Sequence, residues 1–277
     1  MSFGVLNNIP ALQAEAALGN TQSTLNSTLE QLATGQRINS GATDPAGLAI
    51  ANGLSANIAA LNQSIQNAND GTGSLQVADG ALSQVTSLLN TAVTIATEAA
   101  TGTVSSAQRD SLNSEYQAIL SEINRIGTST AYNGTSVFSA STTSIFLTDA
   151  NSSSTITDTV GALSTTVLGL TTGGTNTSLA GTDGTGAQAA LTAIDAAIQT
   201  VANDRGTIGA AVNRLNDASA VMTTQVQNLT AAENNIMAAD IPSTISDLSR
   251  ESVLNQTGMA ALAQANSQES SILTLLH

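Results

Sequence analysis

Apolar residues recur at alternating three- and four-residue steps along two long stretches of this chain, and nothing else in the sequence restricts the fold as strongly. The first stretch reads Leu54, Ile58, Leu61, Ile65, Ala68, Thr72, Leu75, Ala78, Leu82, Val85, Leu89, Ala92, Ala96, Ala99. The second reads Leu191, Ile194, Ile198, Val201, Arg205, Ile208, Val212, Leu215, Ser219, Met222, Val226, Leu229, Glu233, Ile236. Residues three and four apart share one face of an α-helix. A repeat sustained this long therefore predicts long helices joined along a seam, as in a coiled coil or slender bundle. Each seam spans 46 residues, roughly 69 Å of helix at 1.5 Å per residue. Equal lengths predict two halves of the chain lying antiparallel.

Two seam positions break the pattern. Arg205 and Glu233 stand where apolar residues are expected. Drift of the seam, with both side chains snorkelling to solvent, accounts for them; the alternative is a register-setting or intersubunit ion pair.

Between the seams, residues 107–125 read as a shorter helix with Leu112, Tyr116, Ile119, Ile123 and Ile126 on one face. Asn133-Gly134 then marks a turn. From 139 to 186 the chain holds 22 Ser or Thr and 7 Gly, with Asp149, Asp158 and Asp183 its only charges. That composition builds no helical core. Its sparse β-favouring residues, Ile145, Phe146, Leu147, Ile156 and Val160, predict short strands or a surface hairpin. A disordered Ser/Thr-rich linker is the alternative. Before the first seam, Ala-Thr-Asp-Pro-Ala-Gly at 42–47 reads as a helix start, capped by Thr43 or Asp44 with Pro45 in the first turn.

The two ends carry weaker stripes. Leu18, Leu25, Leu29 and Leu32 form one, and Ile241, Ile245, Leu248, Leu262, Ile272, Leu275 and Leu276 supply the other. Helices rich in Ala, Ser, Asn and Gln are marginal alone in water, so these stripes call for partners. All of them but Leu276 are the candidate self-assembly residues. The expected class is mainly α, a long antiparallel helical bundle from both chain ends with a small β-hairpin region in the middle.

Composition removes most chemistry. Among 277 residues there is no Cys and no Lys, the only His is His277, and six Arg face 20 acids for a net charge of -14. Thiol enzymes, zinc fingers and disulfide scaffolds need Cys. Triads and most metal centres need His, and a nucleic-acid binder needs a basic footprint. No catalytic, cofactor-binding or metal-ligating set is expected, since the carboxylates are scattered and neither HExxH nor GxxxxGK[ST] occurs. The acidic balance also opposes anionic membrane surfaces. No run approaches a membrane span, and the first twenty residues lack the basic and apolar regions of a secretory signal. Export by another route is the expectation.

Four motifs now resemble one family. LATGQRINSGATDPAGLAIA (32–51), NANDGTGSLQVADGALSQV (67–85), INRIGTSTAYNGTSVF (123–138) and, near the C-terminus, NRLNDASAVM with ALAQANSQESSILTLL look like the terminal signatures of bacterial flagellin, in family order and spacing. The light, Lys-free pattern is similar to short alphaproteobacterial flagellins. The resemblance implies a self-assembling, extracellular subunit of the flagellar filament, without cofactor. It implies arms at 1–44 and 241–277 forming an inner coiled coil, a helical rod from 45–138 and 187–240, and an outer hairpin region at 139–186. Implied partners are copies of itself or related flagellins, the export apparatus, a secretion chaperone, and the cap and hook-junction proteins. Glu115 matches a position on the surface contacted by the flagellin-sensing Toll-like receptor; residues 88–99 lack the basic cluster of sensed relatives, so weak signalling is expected. The Ser and Thr of 139–186 are candidate O-glycan acceptors. A hook–filament junction protein shares similar termini, but the fourfold match and the short middle favour the filament subunit.

Overall fold

A computed structural model describes residues 8–139, 142–146, 155–172 and 174–275. Among the described residues there are five helices, α1 (Ile9–Thr34), α2 (Pro45–Ala100), α3 (Ser106–Ser129), α4 (Thr185–Met237) and α5 (Ile241–Leu275). Between α3 and α4 come six short strands: β1 (Ala131–Tyr132), β2 (Thr135–Ser136), β3 (Thr142–Phe146), β4 (Thr155–Thr159), β5 (Thr171–Thr172) and β6 (Thr175–Asn176). They pair antiparallel as β1 with β2, β3 with β4 and β5 with β6. The mainly helical fold with a small β region is the one the sequence predicts. Leu147 and Leu276 lie outside the described residues.

The chain forms two compact units, Met1–Ile58 with Gln227–His277, and Ala59–Val226. In the second unit the seams are real. Leu75, Ala78, Leu82, Val85, Leu89, Ala92, Ala96 and Ala99 of α2 are buried. On α4 the buried set is Ala187, Ala190, Ile194, Ala197, Val201, Ile208, Ala211, Leu215 and Met222. Three positions of the second stretch are thereby displaced by one residue: Ala190, Ala197 and Ala211 are buried, while Leu191, Ile198 and Val212 sit half-buried beside them. Small side chains let two backbones approach closely, so Ala takes the innermost row and the branched residues flank it. Two contacts fix the direction. Asp79 meets Arg205, and the Ala100 carbonyl lies against Gly184; the numbers rise on one helix as they fall on the other, so α2 and α4 run antiparallel here.

Arg205 does not snorkel. Its Nε donates to Asp79 Oδ1 at 2.7 Å and a second guanidinium nitrogen to Oδ2 at 3.3 Å, a two-point pair between helices. The expectation of seam drift is corrected there, because a guanidinium finds a carboxylate of matching geometry on the facing helix. Glu233, in the first unit, is half-buried.

The short helix is longer than expected at both ends. Ser105 caps it in a reciprocal arrangement with Gln108, and Asn133-Gly134 closes the β1–β2 hairpin with φ of 48° and 78°, the mirror-image turn that suits a two-residue loop. Helix α3 then serves as a rack for the Ser/Thr-rich stretch. Asn113 Oδ1 accepts from the Leu179 N–H, Tyr116 Oη meets Thr177 Oγ1 at 2.6 Å and Gln117 donates to the Thr177 carbonyl. Asn124 Oδ1 accepts from the Thr165 N–H at 2.9 Å. At Gly127 the Leu163 backbone comes so close that a Cβ would collide with its carbonyl. Leu163, Thr165, Leu168, Leu170 and Leu179 are buried by this docking. Arg109, 2% exposed, clamps the same corner: it donates to the carbonyls of Ala99, Thr101, Gly181 and Thr182, satisfying the end of α2, whose last carbonyls have no helical partner.

Helix α2 starts as the sequence predicts. Asp44 Oδ1 accepts from the Gly47 N–H at 2.9 Å with Pro45 opening the helix.

Candidate self-assembly surface

The first unit is built differently. Helix α1 is capped by Asn8, whose side chain accepts from the Ala11 N–H, and ends at Gly35 in the left-handed conformation, as helices commonly stop. Helix α5 begins after Asp240, whose Oδ1 accepts from the Ser243 N–H. The bend after α1 is pinned to the α4–α5 junction: Gln36 bridges Ala238, the Arg37 N–H donates to the Met237 carbonyl at 2.7 Å and the Ala239 N–H to Gly35.

From that junction α1 and α5 run antiparallel. Asn8 Nδ2 donates to the Ala265 carbonyl, Asn255 Nδ2 donates to Gln22 Oε1 at 2.9 Å, and Leu18 lies against Gly258, where no Cβ keeps the helices apart. The pair nonetheless buries little apolar surface. Among the described residues of the two helices, the buried side chains are Thr28 and Thr244.

The predicted stripe divides in two. Leu18, Leu25, Leu32, Leu248 and Leu262 are half-buried on the α1–α5 seam, whereas Leu29, Ile241 and Ile245 are exposed. Ile272 and Leu275 belong to α5, and their side chains lie outside the described residues. The structure adds apolar residues that periodicity missed: Ile9, Leu12, Val253, Leu254 and Met259 are about half exposed or more, Leu12 most of all at 67%. Leu12 is sixteen residues from Thr28, which turns it about 160° away from the buried edge at 3.6 residues per turn. A helix apolar on two sides needs two neighbours, and that was the signal available in the sequence. Of twelve large apolar residues standing exposed among the described residues, nine (Ile50 with the eight on α1 and α5) lie in this unit and Val77, Val167 and Val221 in the other. An open hollow of about 300 Å³ between the two helices is lined by Glu15, Leu18, Gly19, Gln22, Asn255 and Met259.

Glu115 is exposed on α3. The neighbouring Glu122 and Arg125 form an exposed pair within one turn, and the Arg125 hydrogen bond holds the Glu122 carboxyl below its ordinary range. Tyr116 is pushed up by burial. Among the described residues no group of three potential metal ligands gathers, and no helix is long and apolar enough to cross a membrane.

One closed core beside one apolar helix pair left open is the arrangement expected of a subunit that assembles with other chains. Comparison with known proteins agrees. The bacterial flagellin N-terminal helical region matches residues 5–143 and the C-terminal helical region residues 191–276. Flagellin of Halalkalibacterium halodurans is 34% identical over 98% of both chains, and flagellin FlaB1 of Treponema pallidum is 28% identical over 98% of both. The crystal structure of Bacillus cereus flagellin is 33% identical, covering 61% of this chain and 94% of that one, with a TM-score of 0.49. The chain belongs to the bacterial flagellin family, a family of structural proteins. It is a structural subunit that polymerises into the flagellar filament used for motility. The alphaproteobacterial subtype finds no support among these relatives.

Proposed function

We propose that the exposed apolar faces of α1 and α5 are the intersubunit contacts of that filament. Residues 1–44 and 241–277 then form its inner core, 45–138 with 187–240 a surrounding helical rod, and 139–186 the outward surface. The observation that carries this is the seam between α1 and α5, where among the described residues no large apolar side chain is buried while Ile9, Leu12, Ile245, Val253 and Leu254 stand in solvent. Two marginal helices gain buried area when further copies cover those faces, and a contact between unlike patches that does not close on itself extends into a helical polymer. The subunit acts outside the cell. An export apparatus, a secretion chaperone, and cap and hook-junction proteins are its further partners by family. Glu115, without a basic cluster at 88–99, gives weak innate-receptor signalling, read with purified protein on reporter cells.

The test is substitution of Leu12, Ile245 and Leu254 by Ser in the full chain. These residues are 67%, 49% and 49% exposed, so monomer helicity holds, whereas filaments seen by negative-stain microscopy are lost or need a much higher concentration. Filaments formed as readily as by the unaltered chain would refute the assignment.

A further inference from the structure

The pairing of α2 with α4 poses a problem its apolar residues do not solve. Both helices repeat every seven residues. On α2, Leu75, Leu82, Leu89 and Ala96 form one row and Ala78, Val85, Ala92 and Ala99 the next. On α4, Ile194, Val201, Ile208, Leu215 and Met222 form one row and Ala190, Ala197 and Ala211 the next. Sliding one helix by a heptad sets most large side chains against large ones again, with Val85 and Ala96 the exceptions on α2, so burial separates the native register only weakly from a neighbour displaced by about 10 Å at 1.5 Å per residue. Arg109 does not settle it either, because its four acceptors are backbone carbonyls, which every residue offers.

The oppositely charged side chains that meet between the two helices are Asp79 and Arg205. In the observed register they meet at 2.7 Å across 126 residues of sequence. Since the two numbers run in opposite senses, a slip of seven sets Asp79 against Ile198 or Val212, and Arg205 against Thr72 or Thr86. Both charges then lose their partner beside half-buried, largely apolar neighbours. We propose that the Asp79–Arg205 pair selects the register of the α2–α4 coiled coil, and so fixes where each end of the long helices falls in a subunit. With the two side chains 42% and 38% exposed, the pair adds little to stability. Its effect is on choice, as a single polar position fixes alignment in other coiled coils.

Having no Cys, the full chain accepts spin labels at introduced cysteines alone. Asn90→Cys and Asn216→Cys are exposed sites on α2 and α4. In the observed register the residue facing Asn216 is 22 positions from Asn90, a separation on the order of 33 Å. Dilute monomer carrying the intact pair gives one distance by double electron–electron resonance. Arg205→Leu, with helicity unchanged by circular dichroism, gives a second population displaced by about 10 Å, and so does Asp79→Asn, which keeps the side chain's size. The exchange Asp79→Arg with Arg205→Asp returns a single population. One unshifted distance in every folded variant would overturn the proposal, as would a persistent second population in the exchanged pair.

Discussion

Replacing Gly127 by Ala separates local propensity from tertiary contact, because the two give opposite signs. Within an exposed helix the change stabilises by about 1 kcal/mol. In this protein Gly127 is buried, and an added methyl would run into the Leu163 carbonyl, with the Leu163 carbonyl carbon at 2.9 Å and its Cβ at 3.3 Å. Backbone atoms cannot swing aside as a side-chain tip does, so the 163–165 segment must leave α3. Leaving loses the Asn124 contacts to the Thr165 N–H at 2.9 Å and to its hydroxyl at 3.1 Å, about 1 kcal/mol net for each bond. It also exposes Leu163, 6% exposed when docked, at about 1.5–3 kcal/mol. Less the propensity gain, the net loss is about 2–4 kcal/mol. Urea unfolding of the monomer, followed by circular dichroism, gives the difference, and hydrogen exchange at the Thr165 amide shows whether the segment has come away. A variant more stable than the parent, with Thr165 still protected, would refute the reasoning.

Three further outcomes are expected. Arg109→Met strands carbonyls of α2 and of the turn before α4, and urea unfolding is expected to show a loss of about 1–3 kcal/mol or more, as when a buried acceptor loses its donor; a loss below about 1 kcal/mol would mean that water replaces the guanidinium. Asp204 is raised by burial beside Leu82, Phe138, Leu163 and Ile208. Its folded value lies above its unfolded one, so its stabilising contribution is full below the unfolded value of 3.8 and fades as pH rises through the folded value; Asp204→Asn therefore raises the urea midpoint at neutral pH and leaves it unchanged at pH near 3. Finally, a subunit with a net charge of -14 repels its copies, so light scattering should show faster polymerisation as salt shortens the screening length; a rate independent of salt would contradict that.

How far the sequence could be read depended on the kind of force at each place. The two seams were legible because burial acts through a period that one residue after another repeats, and Asn133-Gly134 was legible because its turn needs backbone angles that few residues adopt. The one-residue displacement on α4 was not, since periodicity ranks Leu191 or Ile198 above Ala190 or Ala197 whereas close packing prefers the smaller residue. Nor was the docking of 163–179 on α3, which is held by Asn113, Gln117 and Asn124 reading backbone groups: an amide side chain carries no sign of which distant N–H it will meet. Arg109 was invisible for the same reason. At the proposed assembly surface, five of the ten expected residues, Leu18, Leu25, Leu32, Leu248 and Leu262, are half-buried within their own unit, while Leu29, Ile241 and Ile245 are exposed.

That last division bears on how a single chain stays monomeric and then polymerises. A helix pair whose best apolar residues were all turned outward would have no reason to pair, and one with all of them turned inward would have no reason to assemble. Here the half-buried leucines hold α1 against α5 weakly, with Asn255–Gln22 and Leu18–Gly258 setting the alignment, while Ile9, Leu12, Val253 and Leu254 keep apolar area in reserve. The second unit, closed by Leu82, Leu89, Ile194, Ile208 and Leu215, needs no such neighbours. If copies cover those faces as proposed, the order of this unit depends on subunit concentration, because a partner that binds only the folded form shifts the equilibrium by mass action.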